Sequence, residues 1–297
     1  MFAVHNYNSA CGALFKNYEP FLERNPQDIP IFVLYIEQDG LLHEEQRQSY
    51  QHVFTDNSEE DMPRIEVFRE VKGEEGGWLM RVSQIAQSPI CCEIACNAAF
   101  TRGVLHIASD CHDMHFCIDN ALMLMFAFRT APLMTLEMHA AVVVRETKGE
   151  ELGYLFLGHS GTGKSTHARQ WLQAFPNAWL LNDDNPILRV MDNGEVRVYG
   201  SPWSGKTPCY KNDSCALGSI VLLSQAPYNK IERLRGIEAY AALVPSISGK
   251  RWDKQIADGL HETENALAMR VPTWYLECLP DADAANTSYN AIRVQEA

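Results

Sequence analysis

The sequence predicts a mixed α/β (α+β) protein in two parts, and three observations carry that expectation. The chain has 297 residues, which exceeds one ordinary core and favours two domains of comparable size. Up to about residue 130, strand-like runs separated by turn residues dominate, the pattern of a β-rich lobe. Beyond that point short apolar strands alternate with helical patterns around one glycine-rich segment, as in a compact α/β core. The expected division is a β-rich lobe at 1–133 and an α/β domain at 134–297.

Composition narrows the class. With 46% hydrophobic and 21% charged residues the chain is globular, which excludes disordered and fibrous types. Thirty-eight acidic against 25 basic residues leave a net charge of -13, a field that repels a phosphate backbone and argues against nucleic acid as partner. The longest apolar run, Ala121 to Phe128, is stopped by Arg129, and the first residues lack a basic segment followed by an apolar one. No membrane partner and a cytoplasmic address are therefore expected. Nine cysteines in so long a chain read as thiols in a reducing compartment, most of them small buried hydrophobes. Cys91, Cys92 and Cys96 form one grouping, and Cys111 to Cys117 another rich in soft ligands. Neither has the paired C-x-x-C spacing of a structural zinc site.

Taken in order, Ile29–Ile36 reads as a strand closed by the turn Gln38-Asp39-Gly40. Arg64–Val71 alternates before a glycine-rich turn, and Trp78–Val82, Ile90–Ala95 and Val104–Ala108 continue the strands. The acidic stretch 57–63 between them reads as a solvated loop. Asp119–Thr130 fits a helix capped by Asp119 with Leu122, Met125 and Phe126 on one face. In the second part, Leu136–Val144 and Gly153–Gly158 read as strands joined by the charged hairpin Glu146–Glu151. Strands at Ala178–Leu181, Ser219–Leu223 and Thr273–Leu279 and helices at Gly236–Leu243 and Asp253–Ala268 follow.

Gly158-His159-Ser160-Gly161-Thr162-Gly163-Lys164-Ser165 satisfies G-x-x-x-x-G-K-[ST], the loop whose glycines let backbone N–H groups curl around phosphate oxygens. Its flanks fit as well: Tyr154–Leu157 supplies a buried strand, and the segment from Ser165 opens a helix whose N-terminal dipole favours an anion. Gly158, Ser160, Gly161, Thr162, Gly163, Lys164, Ser165 and Thr166 are the candidate nucleotide-binding residues. Lys164 would contact the β- and γ-phosphates, and the Ser165 hydroxyl would ligate Mg²⁺. Downstream, Asp183 and Asp184 end a short apolar strand. Adjacent carboxylates there are costly unless used, so one would hold Mg²⁺ and the other would accept the proton of an attacking hydroxyl. The plainer reading is an Asx turn before Pro186.

The loop GHSGTGKST followed by LNDDNPIL resembles the HPr kinase/phosphorylase family and its relatives, the ATP-dependent phosphoenolpyruvate carboxykinases. The resemblance covers about Leu136 to Arg189. It implies a P-loop kinase core, ATP and Mg²⁺ as cofactors, Lys164 on the phosphates, Ser165 and Asp184 on the metal, and Asp183 as general base, with the two Asp roles interchangeable at this stage. His139 stands where HPr kinases carry a His on the strand before the hairpin, and equally suits a satisfied core histidine. The Glu-x-Arg-Gly signature of those kinases is missing. Val198–Thr207 reads VYGSPWSGKT instead, similar to HPr kinase-like proteins of peptide-modification clusters, whose acceptor is a peptide serine. Within it, Lys206 could present a cation to the transferred phosphoryl or sit solvated at a hairpin exit.

The expected function is thus an ATP-dependent phosphotransferase acting on a hydroxyl, a serine of a protein, peptide or small molecule. A carboxykinase-like enzyme and a non-catalytic ATP-binding regulatory protein are the alternatives, and the oligomeric state stays open.

Overall fold

The computed structural model describes residues 2–6, 9–23, 27–37, 39–56, 63–72, 76–205 and 207–295. The acidic stretch 57–62, Gln38 of the first expected turn and Lys206 lie outside the described residues. The protein is mixed α/β with two mixed sheets. It divides into two compact units: Met1–Lys16, Glu23–Thr130 and Lys250–Lys254 form one, and Asn17–Leu22, Ala131–Gly249 and Gln255–Ala297 the other. Each unit thus includes a short segment that lies outside its main stretch of sequence.

The first unit contains β1 (Ala3–Asn6), β2 (Val33–Glu37), the single turn α1 (Glu44–Arg47), β3 (Tyr50–Asp56), β4 (Arg64–Glu70), β5 (Trp78–Ser83), β6 (Ile90–Cys96), β7 (Arg102–Ile107) and α2 (Met114–Thr130). Its seven-stranded sheet runs β1-β2-β7-β6-β5-β4-β3. The pairs β1/β2 and β2/β7 are parallel and the remaining strands form an antiparallel meander. The helix starts earlier than the sequence suggests. Asp113 Oδ1 accepts from Phe116 N at 2.9 Å, so the N-cap is Asp113 rather than the expected Asp119. The helix buries Ile118, Ala121, Leu122, Met125 and Phe128. With the turn that follows it, Met114–Leu133 is long and apolar enough to cross a membrane by length and composition, a longer span than the run Ala121–Phe128, and 56% of its 18-residue apolar window is buried inside the fold. Trp252 completes this unit's aromatic core, with ring centroids 4.5 Å from Phe128 and 6.0 Å from Trp78. Lys250, beside it, pairs with Asp56.

The second unit contains β8 (Thr135–Glu137), β9 (Ala140–Thr147), β10 (Glu150–Leu157), α3 (Lys164–Ala174), β11 (Ala178–Asp184), β12 (Ile187–Val190), β13 (Val196–Tyr199), β14 (Ser214–Gln225), β15 (Lys230–Leu234), α4 (Ile237–Leu243), α5 (Lys254–Arg270), β16 (Thr273–Cys278) and α6 (Ala282–Gln295). Leu136–Val144 is two strands rather than one. At the break the His139 N–H donates to Ser246 O at 2.6 Å, so β8 pairs with β12 while β9 pairs with β10 and β11. The expected hairpin closes with Lys148 at φ 54° and Gly149 at φ 87°, the left-handed pair that matches strand twist.

The sheet branches at the 12-residue strand β14, whose first half pairs antiparallel with β13 and whose second half pairs parallel with β16. Strand β10 also runs parallel to β14, and β9 is antiparallel to both β10 and β11. Strands β10, β11, β14 and β16 therefore point the same way and end at one edge, where ligand sites of α/β sheets collect.

Helices α3 and α6 cover this sheet through a core centred on Trp171, which is fully buried against Tyr154, Phe156, Phe175 and Tyr289. The Trp171 indole N–H donates to His167 Nε2 at 3.1 Å and Ser288 Oγ at 3.0 Å, so His167 must stay neutral to accept. Burial holds its pKa down to about 4, against an ordinary 6.5. Between those values the unfolded chain binds more protons than the folded one, so stability falls as pH drops from 6.5 to 4, by about 3 kcal/mol. Urea unfolding at pH 7 and pH 4.5 should show His167→Gln, which keeps an acceptor, losing much less stability than the wild type; equal losses would contradict this role.

Candidate functional site

The loop from Gly158 to Gly163 leaves β10 and turns into α3. Gly163 at φ 112° is the N-cap of α3, and Gly161 lies at φ 78°. A Cβ at either would meet nothing within 4 Å, so glycine is required there for backbone angle rather than for space. At these two positions the space beside the backbone is open, and α3 adds its N-terminal dipole. Ser160, Gly161 and Ser165 are exposed, Thr162, Gly163 and Thr166 half-buried, and Lys164 only 9% exposed. The Lys164 ammonium donates to Gly158 O at 2.9 Å and His159 O at 3.3 Å, closing the loop on itself. Burial lowers its pKa, while Asp184 and Asp183 pull it back up.

Asp183 and Asp184 end β11 at the same edge. Ala141 of β9 pairs with Phe156 on one side and with Asp183 on the other, which sets the start of the loop level with the carboxylates. The two have different surroundings. Asp184 Oδ1 pairs with His139 Nδ1 at 2.9 Å and Oδ2 accepts from Asn185 Nδ2 at 3.1 Å. Asp183 is 5% exposed, and among the described residues no hydrogen bond reaches its carboxylate. The segment after β13 leans on this pair: Gly205 N donates to Asp183 O at 2.7 Å, and a Cβ at Gly205 would sit 3.3 Å from Asp184 Cβ. Trp203, 3% exposed, is a packing residue whose indole N–H donates to Tyr18 Oη at 2.9 Å.

No family model matches the chain, and no curated protein does. Among solved structures it is similar to the Hpr(Ser) kinase/phosphatase from Coxiella burnetii over 55% of this chain and 99% of that one, at 14% identity and a TM-score of 0.32. A likeness at that score carries no weight for fold or function.

Three residues of the site escape motif reading. Asn182, fully buried, donates from Nδ2 to Ser201 Oγ at 3.1 Å and Trp203 O at 3.0 Å, and its Oδ1 accepts the Asp184 and Asn185 amides at 3.1 and 2.9 Å. It ties the Asp step to the turn at 201–205. Gln225, the last residue of β14, donates to Gly161 O at 3.2 Å and steadies the loop. Beside that contact a cavity of about 540 Å³ opens between Thr166, Gln170, Leu223, Pro227 and Leu279. The third is Glu137 of β8, only 2% exposed, with neither carboxyl oxygen hydrogen-bonded in the described structure. Its one signal in the sequence is an acid inside the run Leu136–Val144, which apart from His139 is otherwise apolar.

Burial, and secondarily Asp184, push the Glu137 pKa well above the usual carboxylate value of 4.5. The folded chain therefore keeps a proton that the unfolded chain gives up above pH 4.5, and that difference costs stability increasingly as pH rises. In magnesium-free buffer Glu137→Gln should melt higher than the wild type at pH 7.5, with the gap closing by pH 4; a gap independent of pH would remove the buried-acid reading.

Proposed function

We propose that the chain is an ATP-dependent phosphotransferase that moves the γ-phosphoryl group to a hydroxyl, a serine of a protein, peptide or small molecule, with the first unit as a module for that acceptor or a partner. The observation that carries this reading is the common edge where a backbone cradle with a buried lysine meets two carboxylates in unequal surroundings.

The residues present fit the ligands. Amides of Gly158–Thr166 and the Lys164 ammonium suit phosphate oxygens, and the Ser165 hydroxyl and Asp184 carboxylate are hard oxygen donors of the kind Mg²⁺ takes. The cavity between Thr166 and Leu279 offers a half-apolar wall for the nucleoside. When bound, Mg²⁺ and ATP supply the phosphoryl group and a divalent charge against its oxygens. Lys164 exchanges its bonds to Gly158 O and His159 O for phosphate oxygens. Asp184 is already oriented by His139 and Asn185 and serves as the metal partner, which leaves Asp183, without a donor, as the base that takes the acceptor proton. His139 acts here as a positioning residue, and Lys206 as a cation for the transferred group.

Transfer of label from γ-labelled ATP to serine acceptors in the presence of Mg²⁺ tests the assignment. Asp183→Asn should lower kcat by roughly 10²–10⁴-fold with nucleotide binding kept. Lys164→Ala should lose nucleotide binding, His139→Gln should weaken Mg²⁺ dependence by about 10–100-fold, and Lys206→Ala should lower kcat. Undiminished transfer by Asp183→Asn would refute the base. ATP binding with no transfer to any acceptor would leave a regulatory nucleotide-binding protein, and phosphoenolpyruvate formed from oxaloacetate would assign carboxykinase chemistry.

A further inference from the structure

Four cysteines distant from the nucleotide motifs in sequence come together in the first unit. The Sγ atoms of Cys91, Cys92 and Cys117 lie within 4.8 Å of one another and all three residues are buried. Cys111 Sγ stands 3.6 Å from Cys117 Sγ.

Strand alternation alone would send the side chains of consecutive residues to opposite faces of β6. A bulge prevents this. In the β5/β6 register Val82 pairs with Cys92 and Ser83 with Ile90, so Cys91 is the extra residue, and the bulge turns its side chain toward the Cys92 sulfur. The other two cysteines flank the start of α2: Cys111 precedes the Asp113 cap, and Cys117 lies in the first turns. The positive end of that 17-residue helix suits a negatively charged centre placed there. The thiols bond locally, within the cluster and its own strands: Cys91 Sγ donates to Val82 O at 3.2 Å and Cys117 Sγ to Cys91 O at 3.7 Å.

We propose that Cys91, Cys92, Cys111 and Cys117 form a structural Zn²⁺ site that fastens the start of α2 to β6. In tetrahedral coordination with Zn–S near 2.3 Å, the sulfurs stand about 3.8 Å apart; those of Cys91, Cys92 and Cys117 already lie within 4.8 Å of one another, and Cys111, 3.6 Å from Cys117, closes on the ion as the fourth ligand. A set of sulfur ligands selects a borderline-soft ion over Mg²⁺ or Ca²⁺. Binding breaks four S–H bonds, forms four Zn–S bonds and releases a proton from each thiol to solvent, leaving a doubly negative centre at the helix N-terminus. Cys111, the least buried of the four, provides the entry side.

The full chain, purified without added metal or chelator, should carry about one zinc per molecule by elemental analysis. The metal-free chain titrated with Co²⁺ should develop the sulfur-to-cobalt charge-transfer band and the strong visible bands of a tetrahedral thiolate site. Cys111→Ser, at the most exposed ligand, should keep the fold and weaken Co²⁺ affinity at least ~10-fold; Cys92→Ser and Cys117→Ser should abolish the bands, and Cys278→Ala, a half-buried cysteine of the other unit, should leave them unchanged. Should the ligand variants fail to fold, a lower Tm of the wild type on chelation, reversed by Zn²⁺, still supports the site. Zinc far below stoichiometry together with no charge-transfer band would overturn it, as would a Cys111–Cys117 disulfide in protein kept under reductant.

Discussion

Everything in the second unit's candidate site hangs on the double register of β9. This strand is antiparallel to both β10 and β11, and its Ala141 stands opposite Phe156 of one and Asp183 of the other. The pairing holds two parallel strands at equal height, so the glycine loop that leaves one and the Asp step that ends the other meet at a single edge. Because side chains alternate with period two, a slip of one residue would exchange the buried and open faces of β11 and turn Asn182, rather than Asp183, toward the loop. The Trp171 core behind the sheet keeps α3 in place and with it the loop's exit.

The parts of this architecture that depend on local pattern were legible in the sequence. Gly158–Ser165 announced its strand, turn and helix by residue type, and the mixed α/β character followed from where strands and helices alternate. Parts set by tertiary contact were not legible. The cap of α2 moved to Asp113 because its carboxylate reaches the Phe116 amide, a choice between two aspartates that periodicity does not make. The run Leu136–Val144 looked like one strand, yet the bond from His139 N to Ser246 O breaks it. Asn182, Gln225 and Glu137 act through neighbours 19 or more residues away, through sheet pairing or through burial, and no spacing rule connects them to the loop.

The unequal surroundings of two adjacent carboxylates give the Asp step its chemical direction. A His and an Asn donate to Asp184, while Asp183 keeps its oxygens available beside a buried ammonium whose charge both carboxylates sustain. Glu137 adds a third acid, on β8, that burial keeps protonated. Charge here is thus partitioned by position within a few residues rather than by the composition of the whole acidic chain.

Two bulges deserve comparison, one at Cys91 in β6 and one at Leu181 in β11, directly before the Asn-Asp-Asp step. Each is one additional residue in a strand, and each decides which side chains meet. At Leu181 that information lies in the count of residues rather than in their identity, whereas at Cys91 both matter. Leu181 can drift among apolar types over generations while the site persists, but the loss of a single codon at either place would restore plain alternation and rotate every following side chain of that strand. Such sites leave a trace in the pattern of insertions and deletions among descendants, where a substitution matrix registers none.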